Sequence, residues 1–268
     1  MKMNYIFFGG QESPFAEIIL QELNRAGFPP LYAIRDARKP IDLAQLTAYH
    51  ADFFLVAAFA KILKTEVLSL PPHGTIGVHP SLLPKYRGAS PIQSALLQNE
   101  KETGTTLFLI DEKIDHGSML AQRSLPIIPE ETYTTLLEKL AYLSAKTIQE
   151  VLPQWLEKKI PLVIQDEAAA TYTKKILTAD AAVDFVKDSP EVIWSKIRAL
   201  NPEPGVFSII QLSDGASLRL KLHHATFING QLNITHVQPE GKKILLTKDF
   251  LNGYRQLLPA SALIYLRG

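Results

Sequence analysis

Residues 73–117 read HGTIGVHPSLLPKYRGASPIQSALLQNEKETGTTLFLIDEKIDHG, and the rest of the chain is organised around them. An apolar run, Thr75 to Val78, delivers His79. A loop bracketed by Pro80 and Pro84 follows and runs to Gly88. A second apolar run, Thr105 to Ile110, delivers Asp111 and Asp115. Two strands that end side by side would bring His79 to Asp115 across the intervening sequence. An imidazole exchanges protons near neutral pH, and a carboxylate beside it orients the ring.

Working outward, strands and helices alternate. Asn4 to Phe8 is an apolar strand closed by Gly9-Gly10. Phe15 to Ala26 carries apolar residues at helical spacing. No GxGxxG fingerprint is present, so a dinucleotide is not inferred. Further strands are expected at Leu31–Ile34, Phe53–Phe59, Thr75–Val78, Thr105–Ile110 and Met119–Pro126. Helices are expected at Asp42–His50, Lys64–Leu70, Ser90–Gln98 and Glu131–Glu157. This alternation predicts an α/β, Rossmann-like, mostly parallel sheet with helices on both faces, its site beyond the strand carboxyl ends.

Residues 158–173 read as a linker. Beyond them a helix over Ser189–Ala199 precedes short alternating strands: Val206–Gln211, Leu218–His224, Gln231–Val237 and one near Leu263–Leu266. That pattern predicts a small OB-like β-barrel. The expected domains are therefore 1–157 and 174–268.

The literal sequence adds to this. His79-Pro80-Ser81-Leu82-Leu83-Pro84 with Arg87-Gly88, then Asp111 and Asp115-His116-Gly117, resembles the 10-formyltetrahydrofolate-dependent formyltransferase family. Thr171 to Lys175, Ile197 to Pro202, Gln238 to Lys243 and Asp249 to Gly253 resemble the C-terminal domain of the branch acting on methionyl initiator tRNA. The resemblance implies formyl transfer from 10-formyltetrahydrofolate to an amine. His79 and Asp115 would be catalytic, with Ser81, Leu82, Leu83, Pro84 and Asp111 against the folate. In that picture a stiff, Pro-ended loop presents backbone groups and apolar surface to a flat ring. Arg87 would pair with a carboxylate or brace the loop.

Two departures stand out. The family's Asn, which donates to the developing oxyanion, falls at Gly77; loss of one such donor costs about 10² to 10³ in turnover. Water or a backbone amide, another side chain such as His116, or a slow or inactive site are the open readings. The basic loop after the second strand is short, leaving Arg35, Arg38 and Lys39. That keeps a second acceptor, such as an amino sugar nucleotide, and a non-catalytic folate- or RNA-binding role as alternatives.

Composition bounds the rest. The chain has 268 residues, 46% hydrophobic and 21% charged, with net charge +1 and no Cys, which excludes disulfides and thiolate chemistry. Residues 174–268 hold 12 Lys/Arg against 8 Asp/Glu, a balance that suits a polyanion. With Arg38 and Lys39, the candidates for tRNA contact are Arg219, Lys221, Lys242 and Lys243. No metal motif, membrane span or secretory signal is read from the sequence. A cytoplasmic monomer with folate and initiator methionyl-tRNA as partners is the expectation.

Overall fold

The computed structural model describes residues 3–267. The chain divides into two compact units. Among the described residues, the first comprises 3–92, Lys101–Ile128 and Thr134–Lys174; the second comprises Gln93–Glu100, Pro129–Tyr133 and 175–267.

In the first unit, β1 (Tyr5–Gly9) leads into α1 (Pro14–Arg25), whose N-terminus is capped by the Ser13 hydroxyl accepting from Ala16 N–H. Then follow β2 (Tyr32–Ile34), α2 (Leu43–Ala48), β3 (Phe53–Ala57), α3 (Thr65–Leu68) and β4 (Thr75–His79). The two-residue β5 (Arg87–Gly88) follows; α4 (Pro91–Leu97) starts here, its residues from Gln93 on belonging to the second unit. β6 (Glu102–Leu109), β7 (Met119–Pro126) and the long α5 (Tyr133–Leu156) complete the elements of the first unit. The sheet order is β2-β1-β3-β4-β6-β7. β1 to β4 are parallel; β1, β3 and β4 are buried nearly throughout, as parallel strands covered on both faces are, and β2 at the edge is half-buried. α2 links β2 directly to β3. Helices cover both faces. Ile6 and Phe8 pack with Leu46 of α2 and Val67 of α3, whereas Gly9, at the alternate phase from Phe8, lies against Ala16 of α1.

β6 departs from the parallel expectation. It pairs antiparallel with β4, His79 opposite Thr106 and Ile76 opposite Leu109. β7 reverses again, so five of the six strands share one direction. The carboxyl end of β6 therefore lies beside the start of β4, not beside His79.

Residues 158–173, expected as a linker, are built into the first unit. Val163 forms a bridge with Met119, Glu167–Ala169 makes a 3-10 turn, and β8 (Tyr172–Thr173) pairs parallel with β5.

The second unit contains α6 (Pro190–Leu200), β9 (Phe207–Gln211), β10 (Ser217–Ile228), β11 (Gln231–Pro239), β12 (Leu245–Leu246), α7 (Thr247–Tyr254) and α8 (Ala260–Leu263). Its antiparallel sheet runs β12-β11-β10-β9. The strand expected near Leu263–Leu266 is instead the end of α8 and the turn after it. Tyr265 and Leu266 are buried there, and the Tyr265 carbonyl accepts from Ile234 N–H. An apolar run of four residues does not distinguish strand from helix by period.

Two polar side chains of the Ile197–Pro202 segment lock this unit. The Asn201 amide donates to the carbonyls of Ile197, Leu222 and His223 and accepts from Val206 N–H. Arg198, 5% exposed, donates to Glu131 O and Asn99 Oδ1, and Ser195 donates to the same Asn99 oxygen. That segment's recognisable sequence is thus structural. Asn201→Ala strands these carbonyls and should lower stability by about 2–3 kcal/mol in urea unfolding. An unchanged midpoint would show that water takes over the bonds.

Candidate active site

His79 ends β4 and is 6% exposed. Its Nε2 lies 2.8 Å from the carbonyl oxygen of Tyr86. A carbonyl only accepts, so Nε2 carries the hydrogen, and Nδ1 is left as the nitrogen that can exchange a proton. Tyr86 is held in a left-handed conformation, φ +61°, with its N–H donated to Thr171 Oγ1 at 2.8 Å.

Nδ1 faces Asp115 Oδ2 at 3.5 Å. This confirms the predicted proximity but corrects its route. Because β6 runs away from His79, Asp115 arrives through the 110–118 loop, which turns back toward the β4 terminus. The reversal requires unusual backbone: Asp115 sits at φ +47°, and a Cβ on Gly117 would collide with the carbonyl of Leu109. The Asp115 carboxylate accepts from Gly88 N–H at 2.7 Å, which fixes it next to the imidazole. The pair is just beyond good hydrogen-bond distance, a gap that substrate binding can close.

Arg87 is fully buried, and its five N–H groups are all occupied. Nε and Nη2 donate to Gln165 Oε1 at 3.1 and 2.8 Å. Nη2 and Nη1 clasp the Glu167 carboxylate at 2.6 and 3.1 Å, and Nη1 also meets Tyr172 Oη at 3.0 Å. Both expected roles, pairing and bracing, are filled. Gln165 and Glu167 lie in the stretch read as a linker and were missed by the sequence reading. The Thr171-Tyr172-Thr173 run, rich in strand formers, was the signal that could have found this packing.

The Ser81–Pro84 loop is stiff, as expected, but its polar groups are turned inward. Ser81 Oγ donates to Lys85 O; Thr106 Oγ1 donates to Ser81 O. Leu83 N–H donates to Thr106 Oγ1, and its carbonyl accepts from Gln122 Nε2. The Leu82 carbonyl accepts from Lys85 N–H. Ser81 and Leu83 are buried, while Leu82 and Pro84 are partly exposed. These bonds brace the loop, so the expected display of backbone groups by Ser81 and Leu83 is not what the structure builds. Asp111 accepts from Lys113 N–H and faces His116 Nδ1 at 2.6 Å. His116 Nε2 lies 3.5 Å from Glu167. With both ring nitrogens against carboxylates, His116 is not placed to replace an oxyanion donor.

Gly77 shares the β4 face with His79, two residues on. Its cross-strand partner Phe108 lays a ring over it: a Cβ on Gly77 would come within 2.6 Å of Phe108 Cζ and 3.1 Å of Ile110 Cγ1. The position of a polar side chain is filled by a phenyl ring.

Of the basic candidates, Arg38 pairs with Asp36 at 2.8 Å and Lys39 is exposed. Arg35 is tied inward to Gly9 O, Gly10 O and Glu17. In the second unit, Arg219 and Lys221 alternate on one face of β10, and the Arg219 carbonyl accepts from Glu240 N–H. Lys242 and Lys243, both exposed, follow in the turn after Glu240. The Arg219 guanidinium stacks on Phe207, 3.6 Å from the ring centroid. A cavity of about 590 Å³, lined by residues including His73, Gly74, Leu109 and Trp155, lies at the start of β4, away from His79.

Family comparisons agree with this architecture. The formyl transferase family matches residues 9–152, and the formyl transferase C-terminal domain matches residues 175–231. The chain is 35% identical over 235 residues to a methionyl-tRNA formyltransferase of Dictyoglomus turgidum, covering 78% of this chain and 74% of that one. It is 34% identical to the methionyl-tRNA formyltransferase of Methylococcus capsulatus, covering 84% and 79%. Among solved structures, methionyl-tRNA formyltransferase from Clostridium thermocellum superposes with a TM-score of 0.68 at 18% identity, covering 91% and 99%. HypX from Aquifex aeolicus in complex with tetrahydrofolic acid gives 0.73 at 17% identity, covering 95% of this chain and 48% of that one. The chain belongs to the formyl transferase family.

Two predictions follow from the packing. Gly77→Asn forces Phe108 from its place and should cost about 1–3 kcal/mol without raising activity. Gly77→Asn should cost less in a Phe108→Ala background than in the wild type; thermal melts of both single variants and the double variant decide it, and equal costs would show that the ring is no obstacle. The second concerns acid. The Arg87 hydrogen bond holds the Glu167 carboxyl below its ordinary range. The folded state thus favours the ionised form. Its contribution is complete above the ordinary carboxylate pKa and is lost as pH falls through the lowered one. The melting difference between wild type and Glu167→Gln should shrink over that acid window; a difference constant with pH would show that charge contributes nothing.

Proposed function

We infer that this chain transfers the formyl group of 10-formyltetrahydrofolate to the amino group of methionyl initiator tRNA. The observation that carries this is the His79–Asp115 pair, held by Tyr86 O and Gly88 N–H, in a chain matching both domains of the family. The methionyl-tRNA names of relatives at about 35% identity support the acceptor.

In this reading the neutral amine attacks the formyl carbon, and the carbonyl oxygen becomes an oxyanion. The amine's proton passes to His79 Nδ1 or Asp115, and N10 takes a proton as the tetrahedral intermediate collapses. Nε2 stays bound to Tyr86 O, so the imidazole works through one nitrogen only. Once protonated, Nδ1 is the donor available to the oxyanion, because Gly77 supplies none. The folate lies against Leu82 and Pro84 and the loop that starts at Asp111. Arg219, Lys221, Lys242 and Lys243 contact tRNA phosphates; Arg38 and Lys39 form a second, smaller contact. The short segment between β2 and α2 reduces the basic surface available there.

Single-turnover formylation of charged initiator tRNA at saturating enzyme tests the reading. Product should form, with the chemical step slowed by the absent donor, and His79→Ala should remove a further 10²-fold or more. No product with tRNA, but transfer to an amino sugar nucleotide, would replace the acceptor. Charge reversal at Lys242 and Lys243 should weaken tRNA binding and reduce its salt dependence by about one to two phosphate contacts. An unchanged salt slope would clear both residues.

A further inference from the structure

We propose that Gln165 is a positioning residue for Asp115: its amide sets the backbone of the 115–117 turn, and thereby the reach of the carboxylate toward His79 Nδ1. The inference rests on the proposed roles of that pair.

Gln165 is 4% exposed, and its amide is fully used. Nε2 donates to Asp115 O at 2.9 Å and to Gly117 O at 2.8 Å. Oε1 accepts twice from Arg87. The guanidinium determines which way the amide points. It offers only donors, so the oxygen must face it, and both N–H groups are thereby aimed at the turn. Asp115 is left-handed without being glycine, a conformation that surrounding contacts have to maintain. Gln165 binds the carbonyl on each side of His116, while Gly88 N–H binds the carboxylate of the same Asp.

Arg87 and Gly88 thus control one residue from two directions. The Arg87 side chain acts on the Asp115 backbone through Gln165, and the Gly88 backbone acts on the Asp115 side chain. The preceding Tyr86 carbonyl holds His79. A displacement of about 1 Å in such a pair can cost up to about 10²-fold in rate. The stretch that holds Gln165 is therefore part of the site.

The experiment compares wild type with Gln165→Glu and Gln165→Met by hydrogen exchange over residues 110–118 and by single-turnover formylation. Gln165→Glu keeps an acceptor for Arg87 but presents a carboxylate to two carbonyls. We expect faster exchange concentrated in 110–118, a melting temperature lowered less than in Gln165→Met because Arg87 keeps its acceptor, and a rate reduced about 10- to 100-fold. Half-saturating folate should stay within about threefold, the split expected when an interaction serves the transition state. Gln165→Met should lose rate similarly and stability as well. Gln165→Glu with wild-type rate and protection would overturn the proposal, since the residue would then serve only Arg87. Failure of the wild type to formylate methionyl-tRNA would count against the functional reading alone, because the exchange measurement needs no substrate.

Discussion

A guanidinium taken wholly out of water has to find a partner for every N–H it carries. Arg87 meets that demand with Gln165, Glu167 and Tyr172, residues about eighty positions further on. The long-range closure draws residues 158–174 back across the first unit, pairs β8 with β5 and buries Gln165 beside the 115–117 turn. An isolated buried ion pair is weak support for stability. Here the value of the clasp lies in direction: Gln165, oriented by the Arg87 guanidinium, turns its amide to the carbonyls of Asp115 and Gly117, beside His79.

The neighbouring strand imposes a different constraint. β6 runs antiparallel to β4, so Phe108 is the direct neighbour of Gly77, and its ring occupies the space a side chain at 77 would need. The missing Asn is thus matched by its surroundings. That side of the His79 surroundings is apolar, lined by Phe108 and Ile110. The same reversal forces the 110–118 loop to fold back, which is why Asp115 needs a left-handed backbone, a glycine two residues later and the Gln165 amide.

The second unit shows how a conserved-looking motif is explained without a ligand. Asn201 and the two terminal nitrogens of Arg198 bond to backbone groups and to Asn99 within the unit, while Arg198 Nε has no partner among the described residues. The exposed cations Lys221, Lys242 and Lys243 are elsewhere, on β10 and in the turn after β11. The hairpin register places Glu240 N–H on the Arg219 carbonyl.

Local pattern was enough for much of this protein. Apolar runs and helical spacing determined β1 to β4, β7, α1, α5 and α6 to within about two residues, because buried strands and amphipathic helices write their period into the chain. The expectation that His79 and Asp115 lie side by side was also legible, through the resemblance carried by the motifs that surround each. Tertiary structure decided the rest. Strand direction in β6, the inward turn of the Ser81–Leu83 backbone, the helical end at Leu263 and the role of residues 158–173 all depend on partners far away in sequence. A run of four to sixteen residues carries no record of which distant carbonyl or guanidinium it will meet; for residues 158–173, the buried Arg87 made that choice.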